Sequence, residues 1–170
     1  MSTEDPSLVH VGIDFGTSNS VVYVCKGIKY DYVPFQKGSQ MPSIVIIDGS
    51  RVIAGVNSFN IVFKSVKRLL GQSCQEMNPT DDLSRFGSEI VEGPDKMCWY
   101  KTEERLYSCD EIAIEIFKEL KRNVDNLITG KIGRTIVSVP ARYSAKQRYH
   151  IKKAAEAAGF EVTNLVNEPT

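Results

Sequence analysis

The chain has 170 residues, of which 42% are hydrophobic and 25% are charged, and its 21 basic residues equal its 21 acidic residues. This length and hydrophobic content suffice for one domain with a real core, which argues against a disordered protein. The balanced charge gives no field for nucleic acid or an anionic membrane, and no signal peptide or apolar span is evident. We therefore expect a cytoplasmic protein that binds neither nucleic acid nor membrane.

The four cysteines, Cys25, Cys74, Cys98 and Cys109, are widely separated along the chain. They form no Cys-x-x-Cys pair and have no histidine close by in the sequence. This spacing argues against a zinc site and against a small disulfide scaffold, so we expect free thiols.

The first predicted element is a β-hairpin over residues 9–24. Two runs rich in β-branched residues flank the sequence Gly16-Thr17-Ser18-Asn19, as in a hairpin with a tight polar turn. Asp14 ends the first strand, the glycine allows close approach of a ligand, and the next three residues offer hydroxyl, amide and N–H groups. Such a turn suits a phosphate and its metal, although the same residue types are common in purely structural turns.

The middle of the chain predicts short strands and one helix. A third meander strand is expected over Ile28–Phe35, and a hairpin of Ile44–Ile47 with Arg51–Ala54 in a smaller layer. Helical spacing predicts a helix over Asn60–Leu70 that stops at Gly71 and carries Lys67 and Arg68 in its last turn. The pattern is weak from Gln72 to Arg105, where short strands are expected at Glu89–Val91 and Met97–Lys101.

The last third of the chain alternates helices and strands. Ser108 with Glu111 and Ser144 with Gln147 have the spacing of capping boxes, which predicts helices ending near Gly130 and at Ala158. A buried strand is expected over Arg134–Val139, with Pro140 at its exit, and a final strand over Phe160–Val166. The order predicts an α/β fold, a mixed β-sheet with covering helices whose last crossover is right-handed.

Four stretches resemble, in order and spacing, the amino-terminal part of the ATPase domain of DnaK-type chaperones, the seventy-kilodalton heat-shock protein family. They are Gly12–Ser20, Val62–Gly71, Val137–Ser144 and Asn167–Thr170. The resemblance implies an actin-like ATPase (ribonuclease-H-like) fold in which two lobes close over ATP. Residues 1–170 would form the first lobe, with a smaller subdomain inserted at about 36–110. Because the chain stops directly after a motif, we expect it to be an amino-terminal piece of a longer protein.

The resemblance also implies a set of site residues. The first phosphate loop would comprise Asp14, Gly16, Thr17, Ser18 and Asn19 and would bind ATP or ADP. Asp14 and Glu168 would hold Mg²⁺ through water, Lys67 would be the catalytic cation near the γ-phosphate, and Glu168 would be the second catalytic residue.

Pro140 and Arg148 match positions through which family members relay the nucleotide state to a peptide-binding domain. The implied function is that of a molecular chaperone involved in protein folding and the stress response, which hydrolyses ATP to control binding of unfolded polypeptides. Nucleotide-exchange factors would be further partners. Asn164 replaces a common arginine of the family, which argues against coupling to J-domain co-chaperones.

Two alternatives stay open at this point. A sugar-kinase-like or acetate-kinase-like phosphotransferase shares the Asp-x-Gly-Thr turn, but the stretches 67–71 and 167–170 argue against it. A non-enzymatic actin-like or chaperone-derived interaction module would keep the fold without turnover. The resemblance implies ATP hydrolysis for the full-length parent. Whether these 170 residues alone hydrolyse ATP stays open.

Overall fold

The computed structural model describes residues 7–56, 61–77, 80 and 82–169. Within these ranges the chain forms twelve strands and three α-helices. The strands are β1 (Val9–Phe15), β2 (Asn19–Lys26), β3 (Lys29–Tyr32), β4 (Met41–Pro42), β5 (Val45–Asp48), β6 (Arg51–Ala54), β7 (Ile61–Phe63), β8 (Glu89–Glu92), β9 (Cys98–Lys101), β10 (Leu106–Ser108), β11 (Ile132–Val139) and β12 (Glu161–Asn167). The α-helices are α1 (Val66–Leu69), α2 (Cys109–Leu127) and α3 (Ala145–Ala157), and short 3₁₀ helices cover Cys74–Glu76 and Leu83–Phe86.

The main sheet has the strand order β12-β11-β1-β2-β3, with β4 paired to β2. β1 and β12 both run parallel to β11, whereas β1, β2 and β3 form an antiparallel meander. The predicted mixed sheet and hairpin are therefore confirmed. The third strand is shorter than predicted at both ends. Gly27, with φ +61, makes a tight turn that leaves Ile28 96% exposed at the hairpin tip, and Phe35 forms an isolated bridge with Gly38 outside the strand.

Helix α2 covers one face of the main sheet. Its buried side chains recur at helical spacing, and the ring of Phe117 packs 4.8 Å from the ring of Phe15 on β1. Both predicted capping boxes are present. Ser108 opens α2 with Glu111, and Ser144 opens α3 with Gln147, each contributing about 1 kcal/mol to its helix.

Two small sheets lie within the range 36–110. One has the order β6-β5-β7 and the other the order β10-β9-β8. The predicted hairpin of β5 and β6 is confirmed, as are the two short strands at β8 and β9. The boundaries of a separate smaller subdomain stay a prediction, because β4, inside the same range, pairs with β2 of the main sheet.

The predicted helix over Asn60–Leu70 is wrong. Asn60 lies outside the described residues, but Ile61–Phe63 forms β7 and pairs with β5, leaving a helix of four residues. Ser65 has a left-handed backbone, φ +56, which separates the two elements. Apolar residues in adjacent positions satisfied a helical count, although the β-branched and aromatic side chains suit a strand. Gly71, with φ +73, follows this short helix at the predicted place.

The burial of β11 was overestimated. It was predicted to be a buried strand, but its burial alternates and Ile136 is 41% exposed, because α2 and α3 cover only one face of the sheet. Leu127 ends α2 beyond the packed turns and is 43% exposed.

Candidate functional site

Three parallel strands end at one edge of the main sheet. In the pairing of β1 with β11, Asp14 lies opposite Ser138, and in the pairing of β11 with β12, Val139 lies opposite Asn167. The main-chain N–H of Glu168 then donates to the carbonyl of Val139 at 2.8 Å. Ligands of α/β sheets bind outside the carboxyl ends of such strands, so the position of this edge makes it the candidate site.

The turn from β1 to β2 lies at the same edge, and hydrogen bonds to Ser43 hold it in place. The Ser43 N–H donates to the Ser18 carbonyl at 2.8 Å, and the buried hydroxyls of Ser20 and Ser43 share a hydrogen bond of 2.8 Å. A Cβ on Gly16 would approach the Asn19 carbonyl oxygen to 2.0 Å, so only glycine fits there. The side chains of Ser18 and Asn19 remain exposed, and Thr17 is half-buried.

Asp14 presents an exposed carboxylate beside this turn. The Ser138 hydroxyl donates to its Oδ1 atom at 2.8 Å, across the pairing of β1 with β11. This bond orients the carboxylate without neutralising it. The sequence analysis did not single out Ser138, and the signal was its place near the end of a strand that pairs with β1.

Lys67 is unusual for a lysine because it is buried, with only 4% of its surface exposed. Its Nζ atom lies 2.5 Å from Oε1 of Glu168, 101 residues away in sequence, and the Glu168 side chain is 32% exposed. The structure thus brings together the two residues predicted to be catalytic. A buried ammonium requires such a partner, since desolvation of an unpaired charge is costly.

The position of Lys67 depends on the packing of α1. Val66, Leu69 and Leu70 are buried around it in the main core. In addition, the hydroxyl of Tyr143 donates to the main-chain carbonyl of Lys67 at 2.5 Å.

Burial first, and then the nearby charge of Glu168, raise the pKa of Tyr143 well above its ordinary value. Its hydroxyl therefore stays protonated and remains a donor at neutral pH. The sequence analysis missed this residue, and the sequence carries no local signal of a contact between residues so far apart.

Arg148 joins the turn after β11 to the end of β12. Pro140 follows β11, and its carbonyl accepts from the Tyr143 N–H at 3.0 Å. The Arg148 guanidinium donates to the carbonyls of Tyr143 and Ala141 at 3.3 and 3.4 Å and to Oδ1 of Asn167 at 2.7 Å. The structure therefore connects Pro140 and Arg148 to each other and to the residue that precedes Glu168.

The donor set at this edge suits a hydrated magnesium ion with a phosphate ligand. Among the described residues, no three of the types His, Cys, Asp and Glu are grouped closely enough to hold a metal directly. A hydrated Mg²⁺ bound through substrate phosphates needs only one or two carboxylates, and Asp14 and Glu168 are available at one edge. The hydroxyls and N–H groups of the turn offer the donors that phosphate oxygens accept.

Within the described part of the chain, no helix is long and apolar enough to cross a membrane. A comparison with protein-family models matches residues 10–170 to the family described as Hsp70 protein. The matched span contains every residue assigned to the candidate site, from Asp14 to Glu168.

Proposed function

The chain belongs to the Hsp70 family, and on that premise we propose that it is the first lobe of a DnaK-type chaperone ATPase that binds Mg²⁺ and ATP at the carboxyl edge of its main sheet. Its fold is that of an actin-like ATPase lobe, and the family binds nucleotide. The buried Lys67 paired with Glu168 at this edge is the observation that carries the proposal.

The turn is the proposed phosphate loop. Gly16 permits the tight backbone, while Thr17, Ser18 and Asn19 would donate hydrogen bonds to phosphate oxygens. Asp14, oriented by Ser138, would hold water molecules of the Mg²⁺ shell, and Glu168 would do the same from the end of β12. When bound, Mg²⁺ would neutralise charge on the β- and γ-phosphates.

Lys67 is the proposed catalytic cation. Its ammonium would stabilise the charge that develops during phosphoryl transfer and orient the attacking water. The low exposure of Lys67 strengthens that interaction, because two charges attract several-fold more strongly in a partly desolvated site than in water. Glu168 would accept from the Lys67 ammonium beside the nucleotide and keep that ammonium at the edge.

The link to chaperone action is also proposed. Arg148 bonds both the turn that begins at Pro140 and the end of β12, so displacement of either strand end would strain the same guanidinium contacts. That makes Pro140 and Arg148 suited to relay the nucleotide state to a peptide-binding domain in a longer parent protein. Unfolded polypeptides would be its clients and nucleotide-exchange factors its partners, in the cytoplasm, while Asn164 argues against J-domain coupling.

Two lobes are required for efficient turnover in this proposal. These 170 residues should fold but should hydrolyse ATP far more slowly than a two-lobed parent, because the phosphate turn would face open solvent. The chain should therefore bind Mg²⁺-ATP weakly, through the phosphates.

The test is a titration of the ¹⁵N-labelled chain with Mg²⁺-ATP up to millimolar concentration, followed by NMR, beside a single-turnover assay. We expect amide shifts at Thr17, Ser18 and Asn19 that weaken in Asp14→Asn and persist in the matched variant Asp31→Asn, whose carboxylate is exposed on β3. A turn that does not respond would overturn the nucleotide site and favour an interaction module. Micromolar binding with measurable hydrolysis would overturn the single-lobe interpretation.

A further inference from the structure

The sheet with the order β6-β5-β7, called the first small sheet below, joins the main sheet through Ser43. β4 pairs with β2 of the main sheet, which places Pro42 opposite Asn19, and β5 begins only three residues after Pro42. The connection is short and buried, since Ser43 and Ile44 are both buried and the Ile44 carbonyl accepts at 2.9 Å from the N–H of the residue after β6. The start of β5 is therefore fixed relative to β2.

Ser43 supplies the main-chain donor that Pro42 lacks. Because a proline has no N–H, the N–H that reaches the turn from this segment is that of Ser43, which donates to the Ser18 carbonyl at 2.8 Å. The hydroxyls of Ser43 and Ser20 share a hydrogen bond of 2.8 Å, and both residues are buried. A buried hydroxyl without a partner is costly, so each serine holds the other in place. Ser43 thus holds the residues on both sides of Asn19.

The same end of the first small sheet also leads to Lys67. β5 and β7 are antiparallel and Val45 lies opposite Phe63, so the start of β5 and the end of β7 lie side by side. Both residues are completely buried in the main core. α1, which carries Lys67, begins three residues after Phe63. One pair of strands therefore has the phosphate turn attached to one strand and the lysine of the site attached to the other.

We propose that the first small sheet sets the position of the phosphate turn relative to Lys67, and that Ser43 is the positioning residue through which this sheet holds the turn. Ser43 is buried, so it acts through Ser18 and Ser20 and not on a phosphate. By fixing the residues on both sides of Asn19, it keeps the donors of the turn in one geometry. The consequence for nucleotide binding rests on the proposed function, whereas the positioning of the turn does not.

The first test uses no nucleotide. Ile46→Val removes one methylene from a small apolar cluster of β5 that is separate from the main core. We expect the amide signals of Ser18 and Asn19 to shift in the NMR spectrum of this ¹⁵N-labelled variant, because β5 transmits the change to Ser43. The matched variant Ile90→Val makes the same deletion on β8, in the other small sheet, and should leave both signals in place.

The role of the Ser43 hydroxyl is tested in the same spectra. Ser43→Ala and Ser20→Ala should each reduce the shifts that Ile46→Val causes. The double serine variant should reduce them no further than either single variant, because both substitutions break the same hydrogen bond. Thr163→Val removes a hydroxyl that donates to the Thr135 carbonyl on β11, and it should leave the shifts unchanged.

A titration with Mg²⁺-ATP then separates this proposal from the proposed function. Ser43→Ala should weaken binding at the turn roughly fivefold, as expected for the loss of one hydrogen bond, while Thr163→Val should bind as the parent chain does. A turn that responds to Ile46→Val but not to Mg²⁺-ATP would overturn the nucleotide site and support the positioning by the first small sheet. Equal effects of Ile46→Val and Ile90→Val on the turn, or shifts that are undiminished in Ser43→Ala, would overturn the positioning role.

Discussion

Neutralising Glu168 should destabilise the chain more than removing the charge of Lys67. The Lys67 side chain is 5% exposed and that of Glu168 is 32% exposed. Breaking a fully buried pair costs roughly 3–5 kcal/mol. Water can reach the Glu168 side of this pair, so we expect Glu168→Gln to lower the free energy of unfolding by about 2 kcal/mol. Lys67→Met keeps the apolar stem and leaves only a partly hydrated carboxylate, so it should cost about 1 kcal/mol or less.

Urea unfolding followed by circular dichroism measures these differences. Glu115→Gln is the matched control, because the Glu115 side chain is also 32% exposed but its partner Lys118 is 49% exposed. That variant should cost about 0.5 kcal/mol or less.

The double variant of Lys67→Met with Glu168→Gln should be within about 1 kcal/mol of the parent chain, since no unpaired buried charge remains. If Lys67→Met costs as much as Glu168→Gln, Lys67 is a structural anchor, and the argument that it is kept at this edge for chemistry fails.

Three further predictions concern the turn and the contact beneath Lys67. Gly16→Ala should lower the free energy of unfolding by roughly 2 kcal/mol or more and abolish the Mg²⁺-ATP response of the turn. Gly12→Ala should be tolerated, because its Cβ would meet nothing nearer than 3.9 Å. Equal unfolding midpoints of the two variants in urea would contradict this. Tyr143→Phe should lower the free energy of unfolding by about 1–2 kcal/mol and broaden the NMR signals of Lys67, and an unchanged spectrum would show that the hydroxyl does not position it. The raised pKa of Tyr143 means that the unfolded chain loses this proton first as pH rises above about 10, so stability should fall there, and less steeply in Tyr143→Phe.

The features that sequence alone predicted are the local ones. The hairpin around Gly16 and the two capping boxes depend on residues a few positions apart, so short patterns determine them. The resemblance assigned Lys67 and Glu168 separate roles at one nucleotide. It did not predict the direct contact between them. Their individual roles stay predictions, while the family and the fold class are confirmed.

The failures of the sequence analysis arise where tertiary pairing decides the structure. Val62 and its neighbours fit a helical count as well as a strand, and pairing with β5 selected the strand. The contact of Tyr143 with Lys67 joins residues that no local pattern connects. Such contacts become predictable only when the order of the strands is known.

Contacts within this lobe hold the parts of the candidate site in place. Separate contacts fix its parts: Ser43 holds the turn, Ser138 orients Asp14, and Glu168 and Tyr143 hold Lys67. A site with fixed donors loses little free energy to ordering when it binds a phosphate. What one lobe lacks is water exclusion and contacts to the rest of the nucleotide, and these determine rate more than phosphate recognition does. Weak binding of Mg²⁺-ATP at the turn therefore distinguishes an isolated lobe from an inactive interaction module, in which the turn would not respond.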